Sequence, residues 1–579
     1  MAKVTGGEMM ARMLAAEGVD TVFGIIDGTY FGFYSALDAH GIRLVSPRHE
    51  TSALHMAGAY ARLTGRVGVA MASNGPGVAN ALPGVAVEHG EGHRVLLITS
   101  SRRTGISYPE RGGTFQYFDQ VAVTRPMTKL AQTVPSHARI PEMMRRAFRA
   151  TWSGKPGVVH VDVPEDLING EGTFDIDADV RPPETYRRTH RLDADPASVR
   201  RAAELLAAAK RPVIHAGTGV VHAGAFDELA AVSEALGAPV LTSWGGRGSV
   251  VEAGNPLAIP MSHLDLYADL RTGADVILVL GSRVGETDWW GKPPYWGRPG
   301  SQTTIQVDVD DATIGGTRPI DLGIHADVGA FLERLAEAFA ASPPARREDT
   351  WSTDRTSSRA KLDKRLEKST DAVNPGWVPV RAQQVFGDDA IWVFDGGNTA
   401  VWAHFFHETT RPNSLLTTFK FGMLGAGVAQ ALGAQVAAPD RRVVCLIGDG
   451  AMGFHPQEVE TAVRNDLPVV YVVFVDRQWG MVKMNQQFAL KPLKTVVRKS
   501  LSEEETINAD FSEIRFDDLA RAMGAHGERV TAPDELVGAL ERARDAGGPA
   551  VVHVDVDPVA HMWAPALRAF KDMHGEPKG

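Results

Sequence analysis

The sequence predicts an α/β protein built from three doubly wound domains. Apolar runs of the kind found in buried parallel strands alternate with helical segments along the whole chain, and 579 residues are too many for a single domain. Two stretches, 181–185 and 341–361, have the polar, proline-containing composition of linkers. We therefore expect domains at 1–185, 186–345 and 346–579.

The elements of the first two regions follow in order. Strand–helix alternation of this kind is typical of a parallel sheet covered by helices on both faces. In the first region we predict helices at 6–17 and 51–63, and strands at 21–26, 42–45, 67–72, 94–99 and 157–164; in the central region we predict strands at 211–216, 276–281 and 304–308.

The composition excludes several classes of protein. The chain is 44% hydrophobic and 22% charged, as in ordinary globular proteins. A net charge of −10 argues against a nucleic-acid partner, and the single cysteine, Cys445, excludes an internal disulfide or a cysteine metal cluster. Neither a signal-peptide pattern nor an apolar run of membrane-spanning length is present. We expect a cytoplasmic enzyme with no membrane partner.

The third region contains the segment on which the functional prediction depends. The apolar run 443–447 predicts a buried strand and leads into Gly448-Asp449-Gly450. A helix with Pro456 in its first turn is expected next, followed by a second strand at 468–475 that ends at Asp476. Because parallel strands joined by a helix end at the same edge of a sheet, the two aspartates should converge.

Two interpretations fit this segment. Carboxylates beside glycine amides can hold Mg²⁺ and a diphosphate, because Mg²⁺ prefers hard oxygen ligands and backbone amides bind phosphate. The alternative is an ordinary βαβ unit with turn residues at its strand ends, and the short glycine motif alone leaves both open.

The segment resembles the thiamine diphosphate (ThDP) signature, in which Gly-Asp-Gly is followed, after a helix and a strand, by an Asn-Asn pair. Val475 and Asp476 stand in the place of that pair. The resemblance implies that Asp449 and Asp476 are side-chain ligands of Mg²⁺ and that Gln478 is a ligand through its carbonyl. Aspartate keeps the oxygen ligand and adds a negative charge.

Other motifs extend the resemblance over the whole chain, to the ThDP-dependent acetolactate synthase-like superfamily. That family has an N-terminal pyrimidine-binding domain, a central domain and a C-terminal diphosphate-binding domain. The motifs that carry the resemblance are Arg-His-Glu at 48–50 with 55–62, Asn-Gly-Pro-Gly at 74–77, Gly-Thr-Phe-Gln at 113–116, Asp-Gly-Gly-Asn at 395–398 and Phe-Gly-Met-Leu-Gly at 421–425.

The resemblance also implies roles for individual residues. Glu50 would bond the pyrimidine N1′ and activate C2 of the cofactor; alone, it would read as a helix N-terminal acid. Leu424 would lie between the two rings of the cofactor and hold them in a V-shaped conformation; the alternative is that it is an ordinary core leucine. Gln116 would bond a substrate oxygen, or is a structural amide. The remaining cofactor contacts would come from Gly397, Asn398, Thr399, Gly422, Gly448, Gly450, Ala451 and Met481.

One site would combine Glu50 and Asp449 from two subunits, which implies a homodimer or homotetramer. The expected activity is a carbon–carbon lyase or carboligase that works beside a carbonyl group through a C2-carbanion/enamine. Its substrate would be a small molecule. The side chains expected to face that substrate are Ile26, Thr29, Tyr30, Phe115, Gln116 and Met481.

Three features favour a 2-hydroxyacyl-CoA lyase, which releases an aldehyde or ketone plus formyl-CoA. The sequence GGNTAVW at 396–402 resembles the Ala-Asn-Thr loop of oxalyl-CoA decarboxylases and 2-hydroxyacyl-CoA lyases, and WWGKPPYWG at 289–297 resembles their central-domain FGLPP segment. The third feature is a basic run of Lys491, Lys494, Arg498 and Lys499, which could meet CoA phosphates or could be a solvated loop. An acetolactate synthase-like 2-oxo acid decarboxylase or carboligase is the alternative. A non-catalytic nucleotide-binding protein is the remote one. The sequence leaves open whether the central domain binds ADP or FAD. It also leaves open whether residues 561–579 form a closing lid or a plain terminal helix.

Overall fold

A computed structural model gives the structure of the protein and describes residues 1–107, 111–345, 347, 349–367, 372–567, 569, 572 and 575. These residues contain three six-stranded sheets, all of whose strands run parallel and are flanked by helices. The predicted α/β architecture of three doubly wound domains is therefore confirmed. Most of the tail beyond Leu567, for which a lid and a plain helix were the two expectations, lies outside the described residues.

Packing divides the chain into two compact units. Unit 1 comprises Met1–His190, Gly425–Asp440 and His455–Val469, and unit 2 comprises Arg191–Leu424, Arg441–Phe454 and Val470–Gly579. Two helical segments of the third domain thus belong to unit 1, so the units do not test our domain boundaries, which remain a prediction. In neither unit does a described helix combine the length and the apolar character needed to cross a bilayer.

The N-terminal sheet of unit 1 has the strand order β3-β2-β4-β5-β7-β6, and a separate antiparallel pair joins β1 to β8. The sequence did not show β6 or this pair, because these strands are short and only partly buried. The elements are β1 (Ala2–Thr5), α1 (Gly6–Ala16), β2 (Thr21–Gly24), α2 (Phe31–Tyr34), β3 (Arg43–Val45), α3 (Glu50–Thr64), β4 (Gly68–Ala72), α4 (Pro76–Glu91), β5 (Val95–Ser101), α5 (Thr104–Ser107), α6 (Gln120–Thr124), β6 (Leu130–Thr133), α7 (Ile140–Trp152), β7 (Val158–Pro164), α8 (Glu165–Asn169), β8 (Glu171–Phe174) and α9 (Ile176–Asp179).

The central sheet has the order β11-β10-β9-β12-β13-β14. Three consecutive strands of this sheet, β9, β12 and β13, carry the apolar runs from which the domain was predicted, and they are buried. The elements are α10 (Pro196–Ala208), β9 (Pro212–Ala216), α11 (Thr218–Ala223), α12 (Phe226–Leu236), β10 (Val240–Thr242), β11 (Ala258–Pro260), α13 (Leu264–Gly273), β12 (Val276–Leu280), β13 (Thr303–Asp308), β14 (Leu322–His325) and α14 (Val328–Ala341).

The C-terminal sheet has the order β16-β15-β17-β18-β20-β19, so β15, β17, β18 and β20 are neighbours and end at one edge. The elements are α15 (Ser352–Asp363), α16 (Trp377–Phe386), β15 (Ile391–Asp395), α17 (Asn398–Phe406), β16 (Leu415–Thr417), α18 (Ala426–Ala437), β17 (Val443–Gly448), α19 (Asp449–Met452), α20 (Glu458–Arg464), β18 (Val470–Val475), α21 (Gly480–Leu490), α22 (Pro492–Arg498), α23 (Phe516–Ala522), β19 (His526–Val530), α24 (Leu536–Asp545), β20 (Ala550–Asp555) and α25 (Pro558–Met562).

The helix expected after the Gly-Asp-Gly turn is present as α20, but it begins at Glu458, two residues after Pro456, which was expected in its first turn. Two helices, α19 and α20, occupy this stretch, and Pro456 lies in the turn between them. Proline lacks an amide hydrogen and disfavours a helical residue before it, so the first helix cannot continue through this point.

Helix α3 forms the centre of unit 1, where it packs against α4 and α18. A side chain at Gly433 of α18 would meet the Met56 carbonyl oxygen of α3 at 2.2 Å, so glycine is what allows this close approach. On the α4 side, the fully buried carboxylate of Glu88 lies 2.6 Å from Nδ1 of His55 and also bonds His93. Helix α3, whose first residue is Glu50, is therefore tightly packed against both of its neighbours.

Candidate active site

Two buried aspartates lie at the carboxyl edge of the C-terminal sheet. Asp449 begins α19 directly after β17, and Asp476 directly follows β18, its parallel neighbour. Their exposed fractions are 8% and 7%. Two backbone amides fix the Asp449 carboxylate: Gly450 donates to Oδ1 and Arg477 donates to Oδ2, both at 2.7 Å. We call Asp449 and Asp476 the acid pair.

The acid pair has the electrostatics of a cation site. Burial, together with the charge of Asp476, raises the pKa of Asp449 to about 7. The nearby Asn398 side chain is 4% exposed, and its Oδ1 is buried without a hydrogen-bond partner among the described residues. Repelling carboxylates and an unsatisfied amide oxygen fit a hard divalent cation such as Mg²⁺, which takes oxygen ligands.

The loop before α17 lies beside the acid pair. Gly396 has φ of 100°, a conformation that only glycine adopts readily, and this turn delivers residues 397–399. A Cβ on Gly397 would lie 2.9 Å from the Met481 side chain, and one on Gly448 would lie 2.9 Å from Thr399 Oγ1. The structure thus brings the predicted cofactor residues of two loops together around the acid pair.

The segment after Asp476 turns sharply. Arg477 has φ of 56° and points its amide at Asp449. The Gln478 side chain donates to Asp476 Oδ2 at 2.9 Å, and its carbonyl, the predicted third ligand, accepts the Gly480 amide at 2.9 Å. A Cβ on Gly450 would lie 2.8 Å from the ring of Trp479, which covers this turn, and the next residue, Ala451, is 2% exposed.

His561 is the residue that the sequence analysis missed. It lies in α25, is 4% exposed, and places Nδ1 2.6 Å from Asp476 Oδ2 and Nε2 3.0 Å from Thr399 Oγ1. A lone histidine far along the chain carries no spacing signal. Its one clue is that it follows β20, the parallel neighbour of β18, and so belongs to the same sheet edge.

Gly422 and Leu424 lie on the loop after β16. Gly422 has φ of 75° and donates its amide to the Thr418 carbonyl at 2.7 Å, while Leu424 is half-buried. Among the described residues, no hydrogen bond joins these two to the acid pair. Their assignment to the cofactor rings therefore stays a prediction.

In unit 1, Glu50 is the first residue of α3. The His49 side chain caps this helix by accepting the Thr51 amide at 3.1 Å. Glu50 is half-buried, and its Oε2 accepts a hydrogen bond from Asn80 at 3.1 Å. A Cβ on Gly77 would lie 3.4 Å from the other oxygen, Oε1. The carboxylate is thus held at a helix start, against the glycine-rich turn 73–77.

The same turn holds Gln116 at its other end. Asn74 donates its side-chain amide to the Gln116 carbonyl at 3.0 Å, and a Cβ on Gly75 would lie 2.4 Å from that oxygen. Gln116 has φ of 53°, an uncommon backbone conformation for a residue with a side chain, and that side chain is exposed. Glu50 and Gln116 therefore flank one turn in unit 1.

The remaining substrate-facing candidates of unit 1 divide into two groups. Thr29 bonds Ser100 Oγ at 2.6 Å, and that oxygen accepts the Asn74 amide at 2.9 Å, which connects Thr29 to the turn. Tyr30 is buried, and burial raises its pKa above the ordinary range. By contrast, Ile26 and Phe115 are 55% and 72% exposed and present apolar surface.

Comparison with protein families identifies all three regions. The chain matches the thiamine pyrophosphate enzyme family, with its N-terminal TPP binding domain at residues 4–123, its central domain at 199–335 and its C-terminal TPP binding domain at 395–554. The C-terminal match contains the acid pair, and the N-terminal match contains Glu50 and Gln116.

Individual relatives agree over nearly the full length. Sulfoacetaldehyde acetyltransferase of Alcaligenes xylosoxydans xylosoxydans is 31% identical, covering 94% of this chain and 91% of its own length. The acetolactate synthase isozyme 3 large subunit of Escherichia coli is 30% identical, with 98% and 97% covered, and the probable acetolactate synthase large subunit of Methanocaldococcus jannaschii is 30% identical, with 96% and 92% covered. The chain therefore belongs to the thiamine pyrophosphate enzymes, within the acetolactate synthase-like superfamily.

Proposed function

We propose that the protein binds ThDP through Mg²⁺ at the acid pair and uses it to break or form a carbon–carbon bond beside a carbonyl group. The observation that carries this proposal is the burial of Asp449 and Asp476 at one sheet edge, beside the glycine loops. Their carboxylate oxygens and the Gln478 carbonyl would hold the metal, and the amides near Gly397 and Gly450 would face the diphosphate. Bound ThDP supplies a carbon nucleophile that adds to carbonyl groups and stabilises negative charge.

Glu50 is proposed as the acid–base group. Asn80 donates to Oε2, so Oε1, on the side of Gly77, is the oxygen at which a proton would be held and shared with the pyrimidine ring. The capped start of α3 fixes the backbone from which this side chain extends. Gln116, at the other end of the turn 73–77, would orient a substrate oxygen with its exposed amide.

For the substrate, we propose a small 2-oxo acid or a sulfoacetaldehyde-like aldehyde, from which a short acyl group is transferred or joined to an acceptor. The support is the pair of relatives named for acetolactate synthesis and for acetyl transfer with sulfoacetaldehyde, each similar over almost the whole chain. This choice favours the alternative in our sequence analysis over the CoA thioester.

Two features that favoured a CoA thioester have partners within the fold. In the basic run, Lys494 pairs with Glu505, and Lys499 lies 5.0 Å from the ring centroid of Trp563. In the segment 289–297, Trp289 and Trp296 are buried and pack around the guanidinium of Arg271. Neither feature needs a CoA ligand to explain it.

A 2-hydroxyacyl-CoA lyase is kept as the second candidate because of α22. Lys491 and Arg498 are exposed at the two ends of this helix, and Leu493 and Val497 are 84% and 80% exposed between them. Basic and apolar groups in this arrangement could meet the phosphates and the pantetheine arm of a CoA thioester.

Single-substrate turnover with ThDP and Mg²⁺ tests these proposals. Pyruvate, sulfoacetaldehyde and a short 2-hydroxyacyl-CoA would each be assayed with wild-type protein and with Glu50→Gln as the inactive control. Consumption of pyruvate or sulfoacetaldehyde supports the first candidate, whereas release of formyl-CoA alone would replace it by the second. Failure of the protein to bind ThDP with Mg²⁺ would overturn the cofactor proposal itself.

We also propose that the protein assembles as a homodimer or homotetramer. The support is the apolar surface that Ile26, Phe31 and Phe115 expose in unit 1, with exposed fractions of 55%, 59% and 72%. A second copy of the chain would bury such a surface. Light scattering coupled to gel filtration tests this, and a monomer at micromolar concentration would contradict it.

A further inference from the structure

His561 links the two segments that surround the acid pair. Its ring contacts Asp476 Oδ2 at 2.6 Å on one side and Thr399 Oγ1 at 3.0 Å on the other, and it is 4% exposed. Its carbonyl accepts the indole N–H of Trp402 at 3.0 Å. One residue thus contacts the metal-ligand segment after β18 and the first turn of α17.

The turn that carries His561 is itself held in place. Asp557 caps α25 by accepting the amides of Val559 and Ala560, each at 2.9 Å. The Pro558 carbonyl accepts the Gln478 side chain at 2.8 Å. The imidazole is therefore delivered by a short, anchored turn, and its position does not depend on its own contacts alone.

The hydrogen bonds orient the Asp476 carboxylate. An ionised carboxylate can only accept hydrogen bonds, so Nδ1 of His561, which faces it, carries the hydrogen. The other ring nitrogen, Nε2, can then accept a hydrogen bond from the Thr399 hydroxyl. Gln478 also donates to Asp476 Oδ2, at 2.9 Å. Both donors engage the same oxygen, Oδ2, which leaves Oδ1 as the oxygen available to a cation.

The carboxylate of Asp476 needs such orientation because it lies beside a second carboxylate, that of Asp449. An aspartate beside Asp449 is repelled by a second buried negative charge, and without restraint it would turn away from it. Groups that hydrogen-bond a metal-ligating side chain fix its geometry, and their loss typically weakens metal binding by about 10–100-fold. A donor placed on the far oxygen would act in this way.

We propose that His561 is a positioning residue that holds Asp476 Oδ1 toward the metal and ties the metal-ligand segment to the Thr399 loop. This inference rests on the proposed function, because it assumes that Mg²⁺ binds at the acid pair. It predicts that loss of the imidazole weakens Mg²⁺ binding specifically, while ThDP binding recovers when Mg²⁺ is raised to saturation.

The experiment measures ThDP binding to the full-length protein by tryptophan fluorescence over a series of Mg²⁺ concentrations. Three variants are compared with wild type: His561→Ala, His561→Asn, and the matched control His553→Asn. His553 is also a buried histidine paired with an aspartate of the same domain, since its Nε2 lies 3.1 Å from Asp555 Oδ1. Asparagine at 561 retains a donor near the place of Nδ1 but loses the bond to Thr399.

We expect His561→Ala to raise the Mg²⁺ concentration for half-saturation by about tenfold or more, with ThDP affinity restored at saturating Mg²⁺. His561→Asn should recover most of the loss, and His553→Asn should bind Mg²⁺ like wild type. In an Asp476→Ala background, His561→Ala should add no further loss, because His561 acts through Asp476.

Two results would overturn the inference while wild type still binds ThDP with Mg²⁺. One is an unchanged Mg²⁺ half-saturation in His561→Ala. The other is a ThDP affinity that stays low at every Mg²⁺ concentration together with a lowered melting temperature, which would mark a purely structural residue. If wild type itself fails to bind ThDP with Mg²⁺, the proposed function fails first, so the two failures are distinguishable.

Discussion

The carboxylate of Glu458 accepts the backbone amide of Arg48 through both of its oxygens, at 3.2 and 3.1 Å. Glu458 is fully buried in unit 1, and its Oε2 also accepts the Thr461 hydroxyl at 2.7 Å. Arg48 lies two residues before Glu50, and Glu458 begins α20, in the segment that follows Asp449 in the chain. The helix that follows the Gly-Asp-Gly turn in the chain therefore holds the turn directly before Glu50, the proposed acid–base residue.

We expect Glu458→Ala to lower both stability and turnover. The variant leaves the Arg48 amide and the Thr461 hydroxyl without their acceptor, which should reduce the free energy of unfolding by about 1–3 kcal/mol. Because the turn before Glu50 then loosens, turnover should fall by about tenfold or more. Denaturant unfolding and steady-state turnover measure the two effects.

Two variants control this prediction. Glu458→Gln keeps an acceptor oxygen and should retain most of the wild-type turnover, since burial already raises the pKa of Glu458 and favours its neutral form. Glu460→Ala removes a partly exposed carboxylate that pairs with Arg464, and it should change stability by no more than about 0.5 kcal/mol. Equal losses in Glu458→Ala and Glu460→Ala would contradict the positioning role.

The sequence was sufficient to place the acid pair because its geometry follows from topology. Two consecutive parallel strands joined by a helical segment must end at the same sheet edge, so the convergence of Asp449 and Asp476 needed no knowledge of side-chain packing. Pro456 lies just before α20 and not in its first turn, because proline is favoured at the start of a helix and the sequence pattern alone did not locate that start more closely.

Partners from distant parts of the chain could not be predicted in this way. His561 lies 85 residues beyond Asp476, and the contact between Asn74 and Gln116 spans 42 residues. Such pairs depend on which strands become neighbours and on how loops close over them. The left-handed backbone of Gln116 likewise has no signal in its local sequence.

Replacement of Glu50 tests the acid–base assignment. We expect Glu50→Gln and Glu50→Ala to lower turnover by several orders of magnitude, because neither side chain can hold the shared proton. The fold should be retained, since within the described part of the chain the side-chain hydrogen bond that Glu50→Gln alters is the one from Asn80. Turnover and melting temperature are the measurements, and near-wild-type activity in Glu50→Gln would remove Glu50 from the mechanism.

Magnesium affinity should depend on pH through Asp449. Burial and the Asp476 charge raise the pKa of Asp449 to about 7, so below that pH the metal must displace a proton from its ligand. The apparent Mg²⁺ affinity should therefore fall by about tenfold for each pH unit below about 7 and level off above it. Mg²⁺ half-saturation of ThDP binding, measured between about pH 5.5 and pH 8.5, checks this.

Asp476→Asn provides the control for this pH dependence. It removes the neighbouring charge that contributes to the raised pKa of Asp449, so the break in the pH profile should move to lower pH. A wild-type Mg²⁺ affinity that is flat from about pH 8.5 to pH 5.5 would contradict a protonated Asp449 in the metal-free protein.

Heterodimers can decide whether one site draws Glu50 and Asp449 from two subunits. With two affinity tags, a species can be purified that combines one Glu50→Ala chain with one Asp449→Ala chain. If each site takes Glu50 from one chain and Asp449 from the other, one of its two sites is fully wild type, and about half of the wild-type turnover should return.

The reciprocal species, a wild-type chain paired with a chain that carries both substitutions, should then be inactive, because each of its sites lacks one group. If both groups come from the same chain, the two results exchange: the first species is inactive and the second retains about half of the activity. The pair of measurements thus gives opposite outcomes for the two arrangements.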